Sequence, residues 1–224
     1  MSIRLRRPHA FAALLISGAV GANLAFLGLG KVFDYPDVLD EPPADVLASF
    51  AAHRPAVVAL FTLLLVSAAL LAPIGVLLGR WARTPRAGRA IAATGVFAAA
   101  VQVAGLARWP LVVPFVHDPD TFHTLNLVLG RAIGETVGYA ATAVFTVLVV
   151  RELTGRHFGR VTAVLGIASA ALVACGVLVP LSVPGADLAN FVGYVLWSGW
   201  LLALAAERVP QRTPATQPSI ASSR

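Results

Sequence analysis

The sequence predicts an all-α integral membrane bundle of six transmembrane helices with both termini cytoplasmic, and three observations carry that expectation. Of its 224 residues, 58% are hydrophobic and only 12% charged, where a soluble domain is usually about one-quarter charged. Six runs come close to the length of about 20 apolar residues that crosses the hydrocarbon of a bilayer. The charges between those runs alternate in sign along the chain.

The first run covers residues 10–30. RLRRPHAFAALLISGAVGA also has the pattern of a secretory signal peptide, with Ala22 as a conceivable cut site. The apolar run continues through NLAFLGLG, longer than a usual signal core, so an uncleaved first helix is expected. The second run is residues 56–79. The third is residues 90–107, uncharged up to Arg108, with apolar character resuming as WPLVVPFV. The fourth, about residues 127–150, contains GRAIGETVGYAAT and therefore an arginine and a glutamate four residues apart. The fifth is residues 161–183 and the sixth residues 188–206.

Orientation follows from the connections. Arg4, Arg6 and Arg7 precede the first run, and Arg80, Arg83, Arg86 and Arg89 separate the second and third. Arg151, Arg156 and Arg160 separate the fourth and fifth, and Arg208 and Arg212 follow the sixth. Basic ends stay in the cytoplasm. The other connections hold Asp34, Asp37, Asp40, Glu41 and Asp45, then Asp118 and Asp120, then Asp187, against Lys31 and Arg54 alone. They are expected to face outward, which makes the chain a multi-pass membrane protein with the lipid bilayer as its surroundings. The net charge of +6 is spread in these short clusters and forms no basic domain, so no nucleic-acid partner is expected.

Two segments fall outside the runs. In KVFDYPDVLDEPPADVLASFAAHRP, Pro42 and Pro43 stand at a helix start, with Val46, Leu47 and Phe50 on one face. This reads either as a short helix on the membrane surface or as an ordinary loop. The domain organisation is then residues 1–208 as one transmembrane domain and residues 209–224, VPQRTPATQPSIASSR, as a disordered cytoplasmic tail.

At a rise of about 1.5 Å per residue, Arg108 lies roughly 27 Å from Ala90, and Glu135 and Arg131 lie roughly 22 and 28 Å from Val150. All three belong to the outer quarter of a hydrocarbon layer about 30 Å thick. An ionised group there is costly unless paired or wet, and is a functional candidate by default. Arg131 and Glu135 share one α-helical face and can pair, with Arg108 as a second partner from the neighbouring helix. The candidate cluster is Arg108, Arg131, Glu135, Asn190 and Tyr139, either as a structural clip between helices or as a binding site.

Gly130, Gly134 and Gly138 form a GxxxGxxxG series, which lets helix backbones approach closely, within the chain or in a homo-oligomer or with a membrane-protein partner. An internal echo aligns Glu135-Thr-Val-Gly-Tyr139 with Asn190-Phe-Val-Gly-Tyr194, and Leu111-Val-Val-Pro114 with Leu178-Val179-Pro180. Such an echo is expected of a repeated helical hairpin that places Glu135 and Asn190 at matching positions. Phe33, Tyr35, Trp109, Phe115, Phe122 and Phe191 stand at outer ends and Trp81 at an inner end, as an interfacial belt would require. Trp197 and Trp200 lie deeper and are expected to pack against neighbours.

Other chemistry has no foothold. The single cysteine, Cys175, excludes an intramolecular disulfide, and no histidine lies in mid-span for a haem. HExxH, GxSxG and phosphate-loop motifs are missing. His117, Asp118, Asp120 and His123 are read as solvated loop residues in preference to a metal site. No cofactor, no metal and no catalytic residue is assigned.

FDYPDVL at 33–39, ARWPLVVP at 107–114, GETVGY at 134–139 and VGYVLWSGW at 192–200 together resemble an uncharacterised bacterial family of small multi-pass membrane proteins, known as a domain of unknown function. The resemblance spans most of the chain. In that family a histidine often follows the glutamate, where this chain has Thr136. The resemblance implies a six-helix bundle and no activity. The expected function is a non-enzymatic accessory or structural membrane protein. The alternative is a small transporter or ion-coupled carrier using the Arg/Glu cluster; it requires a polar path inward, for which Tyr139, Gln102 and Asn23 are the few candidates.

Overall fold

The computed structural model describes residues 8–208. The expected tail of residues 209–224 lies outside the described residues, as do Arg4, Arg6 and Arg7. Among the described residues the chain is helical and contains no strand, as a lipid-spanning chain must be unless it closes a barrel, because each backbone N–H and C=O has to be satisfied within its own segment. Six helical stretches are long and apolar enough to cross a membrane: His9–Phe33, Arg54–Gly79, Pro85–Phe115, Pro119–Leu153, Arg160–Leu181 and Ala186–Glu207. They coincide with the six runs.

The first span is α1 (Pro8–Phe33). The connection after it carries a short helix, α2 (Pro43–Ala52), with proline in its first turn, where the missing N–H costs nothing. The second span is broken into α3 (Arg54–Ala69) and α4 (Leu71–Gly79). Pro73 explains the break, since it cannot donate to Ala69 and its ring crowds that carbonyl. The third span, α5 (Pro85–Leu111), starts at Thr84, whose hydroxyl accepts from the Ala87 N–H at 3.2 Å.

The fourth span begins as α6 (Pro119–Leu125), capped by Asp118, whose carboxylate accepts from the Thr121 N–H at 2.8 Å and hydroxyl at 2.6 Å. It then widens into a π-helical segment (Asn126–Val137) before tightening into α7 (Gly138–Leu153). The last two spans are α8 (Arg160–Cys175) and α9 (Ala186–Arg208). Glu207 ties them together at the arginine-rich end, accepting from the Gly159 N–H at 3.1 Å and from the Thr162 hydroxyl at 2.5 Å.

Two apolar clusters fill the bundle. One, towards the arginine-rich end, contains Phe11, Leu15, Leu78, Ile91, Phe145, Leu153 and Trp200. The other, under the acidic connections, gathers Phe33, Phe50, Phe61, Trp109 and Phe122 around the Trp109 indole, with Phe61 stacked on it at 4.7 Å. Two expectations change here. The apolar face of α2 does not lie on lipid, because Val46 and Phe50 are buried in this second cluster. Phe33, Trp109 and Phe122 are likewise interior residues, and of the outer aromatics Phe115 and Phe191 remain exposed. Aromatic rings this dense gain more from edge and stacked contacts with one another than from the interface. Trp200 is fully buried, as its depth predicted.

Candidate functional site

The centre of the polar region is Arg108, on α5 one turn before its end. It is buried, with 3% of its surface accessible. Its guanidinium donates to the Gly105 carbonyl at 2.7 Å and to Asn126 Oδ1 at 2.9 Å, and stands 5.3 Å from the Trp109 ring centroid. Nε has no hydrogen-bond partner. Space for the side chain comes from the facing helix: a Cβ at Gly130 would lie 2.7 Å from Nη2 and 2.9 Å from Asn126 Oδ1. Asn126 was not among the sequence candidates. Only its position four residues before Gly130, at the head of an otherwise apolar run, could have marked it.

The glycine series packs against α5 of the same chain. Gly134 meets Gly105, and a Cβ built on Gly105 would stand 2.5 Å from the Gly134 Cα. Gly138 faces the Gln102 side chain. Close backbone approach in the membrane needs such small residues, and here the third and fourth spans use them to enclose the arginine.

Arg131 does not pair with Glu135. Its Nη2 lies 3.5 Å from Asp40 Oδ1 in the connection after α1, which is the single ion pair among the described residues. The reason is the π turn. The Thr136 hydroxyl donates to the Arg131 carbonyl at 2.8 Å, five residues back, so the α-helical register that would stack Arg131 on Glu135 is lost. Arg108 does not bond Glu135 either. Arg108 joins the third span to the fourth through Asn126, where the sequence offered Glu135.

Glu135 is half-buried, and its carboxylate makes no hydrogen bond or ion pair among the described residues. It lies within electrostatic reach of Arg108 and Arg131. It also lies within reach of Tyr35, Tyr139 and Tyr194, which are all the tyrosines of the chain. Outside the spans, burial pushes the Tyr35 hydroxyl well above the usual phenol range and the Glu135 carboxylate adds to that rise. Tyr35 packs edge-on against Phe26 and Phe61.

Asn190 lies apart from Arg108. Its Nδ2 donates to the Val173 carbonyl at 2.8 Å, joining α9 to α8. Tyr139 sits with Asn190: its ring is 5.6 Å from Tyr194, and Gly176 makes room for both Tyr139 and Asn190. The internal echo has structural counterparts. Pro114 and Pro180 both sit in 3₁₀ turns that end the third and fifth spans, and Tyr139 and Tyr194 meet across the bundle. No group of three His, Cys, Asp or Glu placed to hold a metal occurs among the described residues.

Six helices long and apolar enough to cross a membrane, around a small interior polar cluster, are the architecture of a multi-pass α-helical membrane protein. Residues 10–205 match the family described as Domain of unknown function (DUF4386), and the chain belongs to that family. No curated protein and no solved structure matches it.

Proposed function

We propose that this chain is a non-enzymatic accessory or structural protein of a bacterial inner membrane, with both termini cytoplasmic and the acidic connections outside. The observation that carries this reading is how the deeper polar side chains are used. Gln102 donates to Thr142 at 2.8 Å, Asn23 to Ser198 at 2.8 Å, and the Trp197 indole to Thr146 at 2.9 Å. Each is a bond between helices. A solute path needs polar groups left free to replace its hydration, and these are engaged with one another. Below them lies the aromatic and aliphatic cluster around Phe145 and Trp200. A homo-oligomer or partner protein would use a surface other than Gly130, Gly134 and Gly138, whose space α5 fills.

A second reading, an ion-coupled carrier, is favoured by Glu135 alone, a carboxylate without a hydrogen bond among three tyrosines. Cysteine accessibility separates the two. In a Cys175→Ala background, Thr142→Cys and Asp40→Cys are treated with a membrane-impermeant maleimide in right-side-out and inverted vesicles. The accessory reading expects labelling at position 40 from outside and none at 142 from either side. Labelling at 142 from both sides would establish alternating access and replace this reading with the carrier.

A further inference from the structure

Under the acidic connections a cavity of about 390 Å³ opens between the connection after α1 and the start of the fourth span. Its polar wall carries both signs of charge: Asp40 and Glu41 from the connection after α1, and Arg131 from the fourth span, which also contributes Asn126 and His123. Leu127, 41% exposed, lines the same cavity and continues onto the apolar surface. We infer that this cavity binds a phosphate–ammonium zwitterion, the headgroup of a phosphatidylethanolamine-type lipid whose acyl chains run down past Leu127.

The donor set points to the phosphate. Arg108 donates to Asn126 Oδ1 at 2.9 Å, which fixes the amide the other way round from a flipped one. Asn126 Nδ2 has no hydrogen-bond partner among the described residues, so the buried guanidinium presents the amide to the cavity as a donor. Arg131 supplies the positive charge, and a planar guanidinium suits phosphate oxygens. Its present partner is weakly held: the contact to Asp40 is 3.5 Å long, with 40% of the Arg131 side chain and 87% of the Asp40 side chain exposed. Water competes strongly with such a pair, and a ligand phosphate displaces Asp40 easily.

The acidic side accounts for the amine. A site for an anion alone would repel its ligand with Asp40 and Glu41. A site for a cation alone would do so with Arg131 and the buried Arg108 behind Asn126. A primary ammonium set against two adjacent carboxylates and a phosphate against Arg131 and Asn126 satisfies both. The half-exposed apolar wall distinguishes a lipid from a soluble zwitterion, which would gain nothing from Leu127.

The test is binding to the full chain purified in detergent. Thermal-shift titrations use phosphatidylethanolamine, phosphatidylglycerol, which carries phosphate without amine, and soluble phosphoethanolamine. Phosphatidylethanolamine is expected to bind about tenfold more tightly than phosphatidylglycerol, the size of one well-placed charged contact. Glu41→Gln breaks no side-chain hydrogen bond or ion pair within the described residues, so the fold is kept, and it should cut that preference severalfold, with Asp40 left as the remaining carboxylate. Arg131→Gln should weaken both lipids. Equal affinity for the two lipids in the parent chain, or a preference left unchanged by Glu41→Gln, would overturn the inference. Soluble phosphoethanolamine binding as tightly as the lipid, with the same dependence on Glu41, would overturn the lipid source while upholding the zwitterion site.

Discussion

Arg108 and Gly130 share one space: the guanidinium lies where a side chain on residue 130 would begin, with Nη2 2.7 Å from the position of a Cβ. The glycine is therefore the seat of a buried cation, and the helix on which it sits is shaped by the arginine of another. Gly130→Ala would normally favour a helix. Here it should displace Arg108 from Asn126 and cost about 2 kcal/mol or more, the penalty for a buried charged group losing its bond. A lowered melting temperature in detergent is the expected outcome, and a raised one would mean that the guanidinium has room elsewhere.

The neighbouring contact is harder. Because Gly134 faces the Gly105 backbone directly, Gly134→Leu has no side-chain end to push aside and must separate the two spans. Overpacking typically costs about 1 to 3 kcal/mol and occasionally more, and a contact with backbone on both sides belongs at or above the top of that range. The melting temperature should fall further than for Gly130→Ala, whose obstacle is the far end of a flexible arginine.

The bonding of Arg108 ranks two further substitutions. Asn126→Leu removes a hydrogen bond from a buried cation and should destabilise by about 2 kcal/mol. Glu135→Gln removes no hydrogen bond within the described residues and should cost less. The double variant Arg108→Met with Asn126→Leu is expected to recover part of the loss, because the unpaired charge goes with its partner. If Glu135→Gln proved the more damaging of the single changes, the carboxylate and not the amide would be holding the arginine.

Asp118 gives a pH dependence whose sign is fixed. The Thr121 hydroxyl and N–H hold its carboxyl below the ordinary value of 3.8, so the ionised form is favoured in the folded state. Its contribution is complete above that ordinary value and is lost as pH falls through the lowered one. In Asp118→Asn the cap persists without a charge, and this part of the acid sensitivity should vanish. Unfolding midpoints of parent and variant compared between pH 5 and pH 2, pH values chosen to bracket about one carboxylate titration, should converge at the acid end.

Topology is tested by reporter fusions. Fusions after Arg86 and Arg156 should read as cytoplasmic, and fusions near Asp40, Asp120 and Asp187 as external. An external reading after Arg86 would invert the arrangement and place the zwitterion cavity on the cytoplasmic leaflet.

The sequence by itself determined the membrane class, the number of spans and their approximate limits, because length and hydropathy decide what can cross a bilayer regardless of how helices pack. It also marked Arg108 and the three glycines, since a cation and a small-residue series stand out in an apolar chain. What it did not carry was the pairing. Arg131 and Glu135 look like partners only if the helix keeps its α register, and the π turn over Asn126–Val137 removes it. Asn126 looks ordinary until the fold brings it to Arg108, eighteen residues away. Val46 and Phe50 show an amphipathic face, but whether that face meets lipid or protein depends on Trp109 and Phe122 lying beneath it. Hydropathy is a property of each segment alone, whereas hydrogen-bond partners and buried faces belong to pairs of segments, and only tertiary structure chooses the pairs.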